Sequence, residues 1–265
     1  MYGLVMRNFG GVEGWVRKHF LIYRITRSAA PFICRFMTLE EGFEILKFVS
    51  PANNNLVALD IGANDGTSIR MIRQFQKKVN IVAFDPLTKP KFDLSNVDFR
   101  EYALSNSANS FSLFTPIVHG VALTQYSSFH SDKLRKQIEH DLGIERSDYG
   151  IVEKTVQTRA LDSLNLSPFF IKIDVEGSER DVLEGSLETI KKHLPIILVE
   201  IQNLETYSSI SAILSENGYV SISLDPSKNL CLDRISLNHQ SEYVSSRNNY
   251  VWIARQVSPT WTFSQ

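Results

Sequence analysis

The sequence predicts an α/β domain built on a doubly wound, mostly parallel sheet. Short apolar runs, typical of buried strands, alternate with amphipathic segments of helical period. A strand, a glycine turn, a helix and a second strand follow one another from Leu56 to Asp85. A connection of this length requires parallel strands with a right-handed crossover. Acidic residues also stand where several of the apolar runs end, which points to a site at one edge of the sheet.

The composition favours one large domain with an ordinary core. The chain has 265 residues, of which 43% are hydrophobic. Its 28 Lys and Arg are balanced by 29 Asp and Glu, which argues against nucleic-acid binding. The two cysteines, Cys34 and Cys231, form no CxxC motif and fit a reducing compartment. No apolar run approaches the ~20 residues that cross a bilayer, and no secretory signal is evident, so we expect a cytoplasmic protein.

Residues 1–50 are predicted to form an N-terminal helical extension. Its first 35 residues contain several Arg and Lys but only Glu13 as an acid, interleaved with aromatic residues. We expect this helical layer to pack on the main domain. A surface-lying basic helix, with peripheral membrane association, is the alternative. The same helices could dock on a second copy of the chain and form a homo-oligomer.

Residues 51–265 are predicted to form the main domain. Strands are expected at Leu56–Asp60, Asn80–Asp85, Val97–Tyr102, Phe111–Phe114, Val156–Ala160, Phe169–Asp174, Ile196–Glu200, Val220–Leu224 and Tyr250–Ala254. Helices are expected at Ser68–Lys78 and Ser178–His193, the second with a capping box of Ser178 and Asp181. Residues 115–150 are polar, and we expect them to form an insertion over the carboxyl ends of the strands, where ligands bind.

The first chemical motif runs from Asp60 to Gly66, where the first strand passes into a helix. Gly62 and Gly66 permit a tight turn and let a ligand lie against the backbone. Their spacing matches neither the GxGxxG of dinucleotide-binding proteins nor a P-loop. Acidic groups such as Asp60 would repel a pyrophosphate and suit an ammonium group. Asp60, Gly62 and Gly66 are therefore candidate cofactor-binding residues, with an ordinary βα turn as the alternative.

The second motif is Asp85, which closes the next strand 23 positions after Gly62. A carboxylate there can accept hydrogen bonds from a ribose diol. Adenosine together with an amino-acid moiety suggests S-adenosylmethionine. The alternative is that Asp85 only caps the turn that Pro86 begins.

The third motif places Lys172, Asp174 and Glu176 at alternate positions along a strand and its exit, so that they project to one side. Charged groups at the end of an apolar strand are costly unless they are paired or functional. An ion pair between Lys172 and one of the two carboxylates is the structural alternative to a functional role.

Together these motifs resemble the FkbM family of S-adenosylmethionine-dependent methyltransferases, over roughly Leu56 to Glu200. The resemblance is carried by Leu59–Gly66, Ala83–Pro86, Ala103–Asn106, Thr158–Leu164, Ile171–Glu179, Val182–Gly185 and Pro195–Glu200. It implies the class I methyltransferase (Rossmann-like) sheet, mostly parallel with one antiparallel strand near the C-terminus, for which Tyr250–Ala254 is suited. The family accounts for neither the N-terminal extension nor the insertion.

The resemblance also assigns roles to individual positions. It implies that Gly62, Ala63 and Asn64 line the methionine side of the cofactor, that Asp85 holds the ribose, that Ala103 and Leu104 border the adenine, and that Asp174 faces the sulfonium and the acceptor. The implied activity is methylation of an oxygen of a sugar, a glycolipid or another small hydroxylated acceptor.

Asp174 is the first candidate for a general base, since a carboxyl beside other acids can take up a proton near neutral pH. His119 and His130 of the insertion are the second candidates. Mg²⁺ held by Asp174, Glu176 and Glu200 is an alternative, less expected than a metal-free site. A non-catalytic cofactor-binding or scaffold protein is the alternative function, and the missing GxGxxG disfavours a nicotinamide-dependent oxidoreductase.

Overall fold

A computed structural model of the chain describes residues 41–90, 95–222 and 249–263. The predicted helices before residue 41 lie outside the described residues. The strands are β1 (Val49–Pro51), β2 (Val57–Ile61), β3 (Asn80–Phe84), β4 (Val97–Arg100), β5 (Ala103–Leu104), β6 (Ser110–Val118), β7 (Val121–Ala122), β8 (Tyr149–Arg159), β9 (Pro168–Ile173), β10 (Ile196–Glu200), β11 (Tyr219–Ile222), β12 (Asn249–Ala254) and β13 (Trp261–Phe263). The α-helices are α1 (Thr67–Phe75), α2 (Ser131–Leu142), α3 (Glu179–Glu184), α4 (Leu187–His193) and α5 (Leu204–Glu216). Short 3-10 helices form at Phe43–Lys47, Thr124–Tyr126, Arg146–Asp148 and Leu161–Leu164.

The central sheet has seven strands in the order β11-β12-β10-β9-β2-β3-β4. Its central pairings are parallel, whereas β12 runs antiparallel to both β10 and β11. The antiparallel strand predicted at Tyr250–Ala254 therefore agrees with β12. Because β2, β3, β9 and β10 run the same way, their carboxyl ends meet at one edge of the sheet.

Both faces of this sheet are buried at its central strands, which explains why these strands read as largely apolar runs. Alternate residues of each strand point to opposite faces. One face packs on α1, through Ile69 and Ile72, and on the 3-10 helix at Phe43–Lys47. The opposite face packs on α3, α4 and α5, through residues such as Val182 and Ile190.

The segment before residue 51 is part of this packing. Phe43 and Ile45 are completely buried in the core beneath α1. The strand β1 pairs with β13 near the end of the chain. The boundary predicted after residue 50 thus falls inside β1, and residues 43–50 are continuous with the main domain.

A second sheet, in the order β5-β8-β6-β7, extends beyond both ends of the insertion predicted at residues 115–150. The strands predicted at Phe111–Phe114 and Val156–Ala160 are each part of a longer strand, β6 and β8, which pair from Ser110↔Gln157 to Val118↔Tyr149. Within the predicted insertion lies α2, whose buried Leu134 and Ile138 pack on this sheet.

The helix predicted over Ser178–His193 is wrong as a continuous element, because the chain forms α3 and α4 with a break at Gly185. A Cβ added to Gly185 would lie 2.1 Å from the carbonyl oxygen of Ser105, so the neighbouring chain occupies that space. The capping box is also absent, since Ser178 makes no side-chain cap hydrogen bond. Instead, Asp162 accepts hydrogen bonds from the backbone N–H groups of Glu188 and Thr189 at 3.1 and 2.8 Å and so caps α4.

Among the residues that the structure describes, no helix is both long enough and apolar enough to span a membrane.

Candidate active site

Two turns meet at the carboxyl edge of the central sheet. The first joins β2 to α1 and contains Gly62, and the second leaves β9 at Asp174. The N–H of Asp174 donates to the carbonyl of Ile61 at 3.0 Å. Gly62 has φ 85°, and a Cβ there would lie 1.7 Å from the carbonyl oxygen of Asp174. The glycine is therefore required by the protein's own backbone, in addition to any ligand.

The second turn is held by its own helix. The Glu179 carboxylate accepts hydrogen bonds from the N–H of Gly177 at 2.9 Å and of Val175 at 3.3 Å. Its observed role is to fix the backbone just beyond Asp174.

Asp85 accepts hydrogen bonds from two turns, the one after β2 and the one that follows Asp85 itself. Its Oδ2 accepts from the N–H of Asn64 at 3.0 Å, and its Oδ1 accepts from Leu87 and Thr88 at 2.8 and 2.7 Å. Burial raises the pKa of Asp85, and these backbone hydrogen bonds oppose that shift. The capping alternative is thus observed. Because a carboxylate oxygen has two lone pairs, Oδ2 can still accept one hydroxyl.

Asp60 is completely buried at the end of β2. Ser68 donates to its Oδ2 at 2.5 Å, while Oδ1 lies 3.9 Å from Lys172 Nζ and has no hydrogen-bond partner among the described residues. Burial raises the pKa of Asp60. With no exposed surface, Asp60 can influence a ligand only through its charge or through its neighbours.

Lys172 and Asp174 form a close ion pair at the tip of β9. Lys172 is only 2% exposed, and its Nζ donates to Asp174 Oδ2 at 2.8 Å. The Asp174 side chain is 23% exposed, so one face of this carboxylate is open to a ligand. The ion pair between Lys172 and a neighbouring carboxylate, which was the alternative to a functional role, is therefore present. It leaves part of the Asp174 side chain exposed.

Burial and neighbouring acids favour the protonated forms of Glu176 and Glu200. Burial, reinforced by the charge of Asp174, raises the pKa of Glu176 to about 8. The charge of Asp174, followed by burial, raises the pKa of Glu200 to about 10. Gln202, which sequence reasoning missed, donates to Glu176 Oε2 at 2.6 Å.

The geometry does not support the magnesium alternative. In residues 41–90, 95–222 and 249–263, no group of three or more His, Cys, Asp or Glu side chains could hold a metal ion. Lys172 already places a positive charge beside Asp174, and Gln202 occupies one oxygen of Glu176. Asp174, Glu176 and Glu200, the three expected metal ligands, instead form a cluster of acidic groups around Lys172.

The second sheet lies against the carboxyl ends of three parallel strands, β2, β3 and β9. The contacts are Thr124 Oγ1 to Asn64 Oδ1 at 3.0 Å, Ser128 Oγ to the Glu176 carbonyl at 3.3 Å, and Lys154 Nζ to the Pro86 carbonyl at 3.0 Å. The sequence signalled this only as a polar insertion and did not single out these donors. Together the two sheets enclose the tips of the strands.

The remaining candidates, His119, His130, Ala103 and Leu104, belong to the second sheet and its connections. His119 is exposed in the β6–β7 turn with φ 49°, and His130 is exposed at the start of α2. No described contact joins either imidazole ring to Asp174. Ala103 and Leu104 are buried in β5, paired with Thr158 and Arg159 of β8.

A mixed α/β sheet with a glycine turn and an acidic strand tip at one edge agrees with a methyltransferase-like fold. The chain belongs to the FkbM methyltransferase family, whose domain, the Methyltransferase FkbM domain, matches residues 60–221.

Solved structures that are similar to the chain include two methyltransferases. A methyltransferase FkbM from Methylobacillus flagellatus KT has 14% identity and a TM-score of 0.43, covering 76% of this chain and 44% of the other. The chain therefore spans less than half the length of that protein. A precorrin-6y C5,15-methyltransferase from Geobacter metallireducens GS-15 has 13% identity and a TM-score of 0.36, covering 75% and 78%. No curated protein matches the chain significantly.

Proposed function

We propose that this methyltransferase uses S-adenosylmethionine to methylate a hydroxyl oxygen of a sugar or another small polyhydroxylated acceptor. The observation that carries the proposal is the partly exposed Asp174 carboxylate, held by Lys172 where the turns after β2 and β9 touch. The strand order of the central sheet, with β12 antiparallel, supports a class I arrangement. Membership of the FkbM family supports the reaction class.

The residues present fit this cofactor in charge. Asp174, whose side chain is 23% exposed, presents a carboxylate at the strand tips beside the buried Lys172. A carboxylate at this edge suits a positively charged sulfonium. The turn from Gly62 to Asn64 would border the methionine moiety, and Asp85 Oδ2 would accept a ribose hydroxyl. Ala103 and Leu104 would border the adenine.

When bound, S-adenosylmethionine supplies an electrophilic methyl group that passes to a nucleophile by in-line displacement. The Asp174 carboxylate would accept the proton of the acceptor hydroxyl as that oxygen bonds to the methyl carbon. Lys172 would fix the orientation of Asp174 from beneath, and Glu200, hydrogen-bonded to Asp174, would keep it from turning away. The second sheet would exclude water from the strand tips. Alignment of this kind can contribute several kcal/mol to catalysis.

The test is incubation of the full chain with methyl-labelled S-adenosylmethionine and fractionated glycans, lipids and small metabolites. Label is expected in a glycan, glycolipid or polyhydroxylated metabolite fraction. Asp174→Asn is expected to lower the transfer rate about 100-fold or more, because a neutral amide cannot accept the proton. Asp141→Asn, at a carboxylate on α2 that pairs with His140, is the matched control and should leave the rate unchanged.

Calorimetric titration of S-adenosylhomocysteine separates the ways in which the proposal can fail. Heat of binding is expected for the wild type, with a similar Kd for Asp174→Asn. A well-folded protein that gives no heat contradicts the cofactor assignment. Binding without transfer to any fraction favours a non-catalytic cofactor-binding protein, and label in a protein fraction alone contradicts the small hydroxylated acceptor.

A further inference from the structure

Two residues of the strand-tip turns adopt a backbone conformation that non-glycine residues rarely take. Asn64, in the turn after β2, has φ 43°, and Glu176, in the turn after β9, has φ 52°. Such conformations persist where the surrounding structure holds them, and they cluster at functional sites. Here they fall in the two turns that touch at Gly62 and Asp174.

One short segment contacts both residues. We call Thr124–Ser128 the clasp. At its first residue, Thr124 Oγ1 donates to Asn64 Oδ1 at 3.0 Å. At its last, Ser128 Oγ donates to the carbonyl oxygen of Glu176 at 3.3 Å. The clasp therefore bridges the turn assigned to the cofactor and the turn that follows Asp174.

The clasp is fixed to the second sheet. Ser128 and Phe114 of β6 exchange two backbone hydrogen bonds, at 3.0 and 3.1 Å. The buried hydroxyls of Ser127 and Thr115 lie 2.8 Å apart and bond to each other. Ser128 is thus held by a β-bridge to β6, and Thr124 lies in the 3-10 helix just before it, whose Thr124 carbonyl accepts from the N–H of Ser127 at 3.1 Å. Both hydroxyls are therefore carried by a segment fixed to the second sheet, so they can impose a position on the turns they contact.

We infer that Thr124 and Ser128 are positioning residues that hold the two strand-tip turns in their working alignment and tie that alignment to the second sheet. The catalytic meaning of this alignment rests on the proposed function. Its structural consequence does not: because the turns touch, loss of either hydroxyl should loosen both of them.

The test is amide hydrogen exchange on the full chain, without ligand, for Thr124→Val and Ser128→Ala. Thr124→Val keeps the size of the side chain and removes the hydroxyl. Exchange is expected to rise about threefold to tenfold in residues 62–66 and also in residues 174–177, the turn that Thr124 does not contact. Thr124→Ser, which restores the hydroxyl, should return both turns to wild-type exchange.

Ser163→Ala is the matched control, because the Ser163 hydroxyl also donates to a backbone carbonyl, that of Ala160, but in the 3-10 helix after β8. It should leave both turns unchanged. A second measurement, titration of S-adenosylhomocysteine, is expected to show a Kd raised about threefold to tenfold in Thr124→Val.

The inference is overturned if Thr124→Val leaves exchange unchanged in residues 174–177 and Ser128→Ala leaves it unchanged in residues 62–66. If one variant fails to fold, the other decides the outcome. A wild type that binds no S-adenosylhomocysteine defeats the proposed function, whereas the exchange comparison without ligand still tests the clasp.

Discussion

At the scale of single residues, the site is built from side chains that do two things at once. Asp85 holds the turn of Asn64 through one oxygen and its own turn through the other, yet keeps a lone pair free. Lys172 pairs with Asp174 at 2.8 Å and also lies 3.9 Å from the buried Asp60. Removing such a residue would change the shape of the site as well as its charge, so informative substitutions keep one property fixed.

Gly62→Ala tests the close approach of the two turns. The added Cβ would lie 1.7 Å from the carbonyl oxygen of Asp174, and the residue has φ 85°. We expect the free energy of unfolding to fall by about 3 kcal/mol or more, measured by urea denaturation.

Gly120→Ala separates backbone strain from the clash. Gly120 has φ 77°, but a Cβ there meets nothing within 4 Å. Only the conformational cost of about 1 kcal/mol should appear. Equal losses for the two variants would show that the contact between the turns is not what requires Gly62.

At the scale of elements, the break between α3 and α4 shows how a distant part of the chain sets a helix boundary. The apolar spacing of Val182, Leu183, Leu187 and Ile190 is compatible with one helix. The break forms because Gly185 packs on the Ser105 carbonyl and because Asp162 supplies a cap to the backbone of α4. Neither cause is visible in the helical segment itself.

Asp162→Ala should destabilise the fold through α4. Its carboxylate accepts from two N–H groups of the first turn of α4, which would lose these partners. We expect a loss of about 1 kcal/mol in the free energy of unfolding, measured by urea denaturation. Ser178→Ala is the control, since Ser178 makes no cap hydrogen bond and its replacement should cost much less. A larger loss for Ser178→Ala would restore the capping box as the true helix start.

At the scale of the whole molecule, two sheets enclose an edge on which acids from several strands gather around one buried lysine. The central sheet brings these groups together because its parallel strands end at the same edge. The second sheet covers them through the contacts of Thr124, Ser128 and Lys154. The charge balance of this edge should therefore influence the stability of the entire fold.

Glu200→Gln tests this influence through pH. The folded pKa of Glu200 is about 10, against an ordinary value of 4.5, so the folded protein retains a proton that the unfolded chain has released. Stability from this group is full below the ordinary pKa and is lost as pH rises toward the folded pKa. Gln imitates the protonated carboxyl at every pH. We expect the variant to lose stability with rising pH less steeply than wild type, by up to about 1 kcal/mol per pH unit.

The measurement is urea denaturation at several values between about pH 5 and about pH 9. Glu176 and Lys172 also face this group and stay in place in the variant, so part of the slope should remain. Glu188→Gln, whose side chain is 77% exposed, is the control and should keep the wild-type slope. Parallel slopes for wild type and Glu200→Gln would contradict the burial of a protonated carboxyl.

Local pattern was sufficient for much of the central sheet. The strand–turn–helix–strand unit from β2 to β3 was predicted from the sequence, because hydrophobic period and turn residues are properties of neighbouring positions. The antiparallel strand, which the structure shows as β12, was implied by the resemblance to the FkbM family. The FkbM family was recognised from the same motifs. The extension before residue 41 stays a prediction.

Only the tertiary structure decided how the site is arranged. It formed a second sheet from the long pairing of β6 with β8, divided a predicted helix at Gly185, and favoured the protonated forms of Glu176 and Glu200. These features depend on burial and on charges contributed by segments far apart in the chain. A sequence shows which groups can ionise or donate, whereas packing determines which of them meet.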